Sequence, residues 1–179
     1  MKYLFPLAIA LSVSACVPSI MQRDQIRLGM QGWMRGAAAE GQLGIEFHYV
    51  PDALERAAIV AAMDGHNYGP VVSLKAQMPQ EKGARVVLYK DPQPKVFGDK
   101  LCQLSEKGFA PAGRQDTKIT LSLCYNDLSY GYVSAISLEN PLVRGTRAFD
   151  AFYRAAYRLL TDPTYERQEW GSSCRKPPC

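Results

Sequence analysis

The stretch from Lys118 to Leu138 limits the possible folds more than any other. Ile119, Leu121, Leu123 and Tyr125 alternate with Thr120, Ser122 and Cys124, the period-two pattern of a strand that presents one apolar face. Asn126-Asp127 starts a turn, and a second strand runs from about Tyr130 to Leu138, so a hairpin is the natural result. An isolated hairpin is marginal in water and needs a layer packed against it. Residues Ala148 to Leu160 provide that layer. Phe149, Phe152, Tyr153, Ala156, Leu159 and Leu160 fall on one stripe of a helix, with Arg147, Arg154 and Arg158 on the opposite side, and Asp162-Pro163 stops it.

The same two periods organise the rest of the chain. Ile45, Phe47 and Tyr49 alternate with Glu46 and His48, which predicts a strand over 44–50. Asp52-Ala-Leu-Glu55 resembles a capping box with Asp as its first member, and predicts a helix from Ala53 to Met63 that ends near Gly65. Val72, Leu74, Ala76 and Met78 predict one face of a further strand. Arg85 to Tyr89 contains the continuous run V-V-L, which suits a central strand. A short helix is expected over Asp99–Lys107, with Leu101 and Leu104 inward and Gly108 as its C′ residue. Residues 26–40 read two ways: a first helix or lead-in packed on the sheet, or an interfacial segment that lays Trp33 and the methionines into headgroups.

About five strands and three helices in this order predict an α/β (α+β) fold: a two-layer sandwich with a mixed or antiparallel sheet backed by helices. The chain divides into residues 1–15, a tether over 16–27, one globular domain over 28–163 and a tail over 164–179.

The first fifteen residues explain themselves chemically. Lys2 is followed by an apolar run from Tyr3 to Val13, interrupted only by Ser12 and carrying Pro6. A bilayer-spanning helix needs roughly 20 apolar residues, so the run fits a secretory leader. Val13-Ser14-Ala15-Cys16 resembles the lipobox of bacterial lipoproteins: an aliphatic residue, two small residues and a cysteine. The resemblance implies cleavage before Cys16, a thioether-linked diacylglycerol on its sulfur, and usually an acylated amino group. Several acyl chains make such an anchor effectively permanent. Val17 stands where an Asp would resemble an inner-membrane retention signal, which implies the periplasmic face of the outer membrane, with the inner membrane as the alternative. The predicted architecture is also similar to that of several small lipoprotein domains that serve envelope assembly.

Removal of residues 1–15 leaves 164 of the 179 residues, enough for one domain. Of the 21 basic residues only Lys2 falls in the leader, so 20 face 17 acidic residues, a net of +3 with the signs interspersed. That pattern is no nucleic-acid footprint. Cys102, Cys124, Cys174 and Cys179 remain beside Cys16. In an oxidising compartment four cysteines read as two disulfides. Three pairings are possible, and Cys102–Cys124 with Cys174–Cys179 is preferred because the second pair shares a short tail. A zinc site lacks the usual ligand spacing, and no cofactor is expected.

Candidate chemistry is sparse. The sequence has no nucleophile elbow, zinc-protease helix or phosphate loop, so no catalytic residue is assigned. His48 reads as a surface or edge histidine, and His66 lies in a D-G-H-N-Y-G turn. Tyr125, Tyr130 and Tyr132 at the hairpin, with Arg154 and Arg158 on the last helix, form a candidate contact patch, since Tyr and Arg are favoured at interfaces. Tyr153 and Tyr157 read as half-buried, with hydroxyls that reach water. Three functions follow: a non-catalytic envelope module with a protein partner, a lipid or small-ligand carrier with a pocket between sheet and helices, and a small hydrolase. The first is preferred.

Overall fold

The computed structural model describes residues 19–24, 30–77, 82–90, 92–93, 98–103, 110–111, 118–138 and 141–163. Cys16, Cys174, Cys179, residues 1–15, the tail over 164–179 and the expected helix end at Leu104–Phe109 lie outside these residues.

The hairpin forms as β7 (Lys118–Tyr125) and β8 (Leu128–Ser137), antiparallel, with a bulge between Leu123 and Cys124. Asn126 takes a left-handed φ of 50° at the turn, a conformation that Asn tolerates better than most residues. β4 (Ala84–Lys90) pairs antiparallel with β7 and parallel with β2 (Gln42–His48), and β2 pairs parallel with β3 (Ser73–Gln77). V-V-L accordingly sits mid-sheet, buried on both sides.

β1 (Ser19–Asp24) pairs antiparallel with β8 along its whole length and completes a six-stranded sheet of order β1-β8-β7-β4-β2-β3. The segment read as a tether therefore contributes an edge strand, and the sheet has one strand more than the alternation reveals. β5 (Pro92–Gln93) and β6 (Ala110–Pro111) pair antiparallel as a second, two-stranded sheet.

Among the described residues four helices accompany the strands: α1 (Met30–Glu40), α2 (Ala53–Met63), α3 (Lys100–Gln103) and α4 (Arg147–Thr161). The ambiguous segment at 26–40 contains α1, ended at Gly41 with a φ of 74°. Its Met34 and Ala37 are buried in the main core, so Met34 is not available to headgroups. Asp52 caps α2 by accepting from the Leu54 N–H at 2.9 Å. Glu55, expected to complete a reciprocal box, accepts instead from Lys90 Nζ at 2.9 Å. Thr146 caps α4 by accepting from the Phe149 N–H.

α1, α2 and α4 cover one face of the sheet, which makes the two-layer α/β sandwich. The core between the layers joins Phe149, Phe152, Tyr153, Ala156, Tyr157 and Leu160 of α4, Ile59 and Met63 of α2, and Ile45, Val86, Leu88, Leu121 and Val133 of the strands. Tyr153 and Tyr157 are 1% and 0% exposed, not half-buried as the sequence implied, and burial raises the Tyr157 hydroxyl pKa well above the usual range. Of the residues read on one face of the strand that forms β3, Val72 and Leu74 are buried, Ala76 is exposed near its end, and Met78 lies outside the described residues. Phe152 sits at 1% exposure edge-on to Tyr153. Truncating a buried Phe to Ala removes its transfer free energy and leaves a cavity. Phe152→Ala is expected to lower the unfolding free energy by about 3–5 kcal/mol in a urea melt.

Candidate functional site

Among the described residues, the face of the sheet opposite α1, α2 and α4 carries a concentrated set of ionisable side chains. On β2, Glu46 and His48 alternate away from Ile45 and Phe47, and on β4, Arg85, Val87 and Tyr89 alternate away from Val86 and Leu88. The parallel register sets His48 beside Tyr89 and Glu46 beside Val87. His48 Nε2 and Glu46 Oε1 are 2.6 Å apart, and Arg85 Nε donates to Glu46 Oε2 at 2.8 Å. The His48 ring stacks on Tyr89 with centroids 4.3 Å apart and planes 8° from parallel.

This cluster is enclosed. Glu46, His48 and Arg85 are 2%, 0% and 4% exposed. The expectation of a surface or edge His48 is corrected: strand alternation does send it away from the main core, but a second apolar cluster forms on that side. Val87, Tyr89, Leu101, Cys102, Cys124 and Tyr132 make it up. The disulfide between Cys102 and Cys124 holds α3 against β7 there, across a sequence separation of 22. A loop of that length is worth about 3 kcal/mol in the chain-entropy account.

Arg85 ties the covering layer to the sheet. Besides Glu46, its Nη1 donates to the Asn126 carbonyl at 2.8 Å, and its Nη2 donates to the Cys102 carbonyl at 2.8 Å. Tyr89 donates its hydroxyl to the Leu101 carbonyl at 3.1 Å. Ser122, on the same face, reaches Ser129 at 2.9 Å. Burial alone raises the Glu46 carboxyl pKa, but hydrogen bonds and attraction from His48 and Arg85 outweigh that and hold it below its ordinary value. Burial, then the Glu46 carboxylate, push the Tyr89 hydroxyl far above the usual range. If Nε2 carries the proton that Glu46 accepts, Nδ1 is an acceptor. It has no hydrogen-bond partner among the described residues. The enclosed imidazole, bonded to Glu46 and stacked on Tyr89, fits a clasp between layers.

The exposed surface holds a second constellation. Arg154 and Arg158 lie one turn apart on the solvent side of α4. The Arg158 guanidinium sits over the Tyr68 ring, 5.0 Å from its centroid, a cation–π arrangement. The Tyr68 N–H donates to Thr161 Oγ1 at 3.1 Å, which fixes the loop after α2 to the end of α4. His66 lies nearby. Its partial burial, then the charges of Arg154 and Arg158, lower its pKa below 6.5 against an opposing effect from Asp64. Asp64 Oδ1 accepts from the Leu74 N–H at 2.6 Å. Among the described residues no three metal-binding side chains cluster.

The patch expected from sequence divides. Tyr132 is 5% exposed on the face opposite α4, so it cannot share a surface with Arg154 and Arg158. Tyr130 packs half-buried on the main core, and Tyr125 is 47% exposed at the hairpin end. Tyr68, which the sequence reading passed over, replaces them beside the arginines. Neither family models, nor curated proteins, nor solved structures match the chain.

The Glu46 carboxyl has a depressed pKa in the fold, so its contribution to stability is complete above about 4.5 and is lost as pH falls through the folded value. Glu46→Gln is expected to cost about 3–5 kcal/mol at neutral pH, as removal of one partner of a buried ion pair does. The variant should also lose less stability than the parent between neutral and acidic pH, read from urea melts across that range.

Proposed function

We propose that the chain is an exported lipoprotein, held on the periplasmic face of the outer membrane by acyl chains on Cys16, that acts as a non-catalytic binding module for an envelope protein. The address rests on Val13-Ser14-Ala15-Cys16 after a short apolar run. The binding role rests on one observation, the solvent-facing cation–π pair of Arg158 with Tyr68 beside Arg154. Arg and Tyr on fixed backbone are the side chains that anchor protein contacts, and two guanidinium groups one turn apart suit an acidic segment.

The carrier reading places a pocket between sheet and helices. That space is filled by Phe149, Phe152, Tyr153 and Tyr157, each no more than 2% exposed, which weighs against it.

Cys16→Ser is expected to move the protein from the membrane fraction to the soluble periplasmic fraction and to abolish fatty-acid labelling. Unchanged fractionation overturns the anchor. A photo-crosslinking amino acid at position 154 in intact cells should give a discrete protein adduct that Arg158→Glu abolishes and that a probe at the exposed Lys75 does not give. Adducts to lipid alone replace the module with a carrier.

A further inference from the structure

β1 starts three residues after Cys16. A trans peptide chain extends at most about 3.6 Å per residue, so the Cα of Ile20 lies no more than about 14 Å from that of Cys16. Whatever holds Cys16 also holds this corner of the sheet.

The corner is apolar and exposed. Ile20 pairs with Ile136 in the β1–β8 register, and Leu138 follows two residues along the same strand line. They are 42%, 37% and 60% exposed. Met21 and Ala135, next to the isoleucines in sequence, pack on the helix-side core, so Ile20 and Ile136 point to the opposite face. Lys118, register partner of Ile136 on β7, adds a positive charge on that face.

We infer that Ile20, Ile136 and Leu138, with Lys118 beside them, form a foot that rests in the phospholipid headgroup layer around the Cys16 anchor. This inference depends on the lipid anchor proposed above. Three aliphatic side chains are too few to hold a free protein on a bilayer. With only three residues between Cys16 and Ile20, the contact becomes an intramolecular one, with a high effective concentration that such a weak contact needs. Apolar side chains backed by a lysine suit the boundary between acyl chains and phosphates. The foot also sets orientation. It lies on the sheet face opposite α4, so Arg154, Arg158 and Tyr68 are turned away from the membrane toward a partner.

The test uses full-length protein extracted from membranes and reconstituted in phosphatidylethanolamine–phosphatidylglycerol vesicles. A dansyl-bearing amino acid is placed at position 136, or at 154 as the control. Brominated lipids are expected to quench position 136 several-fold more than position 154, and Ile20→Asp should remove most of that difference. The mass of the same sample reports acylation of Cys16. Acylated protein with equal quenching at the two positions overturns the foot and leaves the anchor standing. Acylated protein with crosslinks between copies at position 136 and no lipid quenching reassigns the patch to a second copy of the chain, through the β1 edge. A bare Cys16 overturns the anchor reading, and the foot with it.

Discussion

Arg85 is the residue on which the two sides of the sheet depend. Its guanidinium meets a carboxylate on β2, the carbonyl of the turn residue Asn126 and the carbonyl of Cys102 on α3. Three segments far apart in sequence thus converge on one planar cation. Arg suits the place because its donors are fixed in a fork, where a lysine would offer a point charge. A buried ion pair gains little over a well-packed apolar substitute, but losing one partner leaves an uncompensated charge. Its value here is therefore one of arrangement: it requires the hairpin turn, the short helix and β2 to be in register together.

Much of the helix-side layer was legible in the residues. The hairpin and the last helix have clean periods of two and 3.6, and the structure places them within a residue or two of the expected bounds. β1 was not legible, because S-I-M-Q-R-D places an arginine on the inward side at Arg23. Arg23 donates to the carbonyl of Asp162 at the end of α4, a partner that local pattern cannot supply. One helix, α1, was left open for a related reason. Gly29, Gly32 and Gly36 weaken the helical signal at α1, and tertiary contact of Met34 and Ala37 overrides it.

The far face misled for a different reason. His48, alternating outward from Ile45 and Phe47, read as a surface or edge residue. His48 is buried instead, stacked on Tyr89, whose hydroxyl reaches α3 where Cys102–Cys124 fixes that helix against β7. The signal was present in the two cysteines: Cys124 belongs to the polar side of its strand, so a bond to Cys102 places a covering element on that side. The split of the aromatic patch follows from the same geometry, since Tyr132 shares a face with Cys124 and not with α4.

The pairing of β1 with β8 carries a consequence for biogenesis. The two strands are separated by almost the whole domain, and Arg23 reaches a carbonyl 139 residues away. Closing so long a span is slow compared with forming the hairpin or a helix. A nascent chain delivered amino end first would have its opening strand in place before the strand that receives it emerges. The last pairing of the sheet then closes only after β8 has been made, and until that moment the β8 edge is open to misassembly.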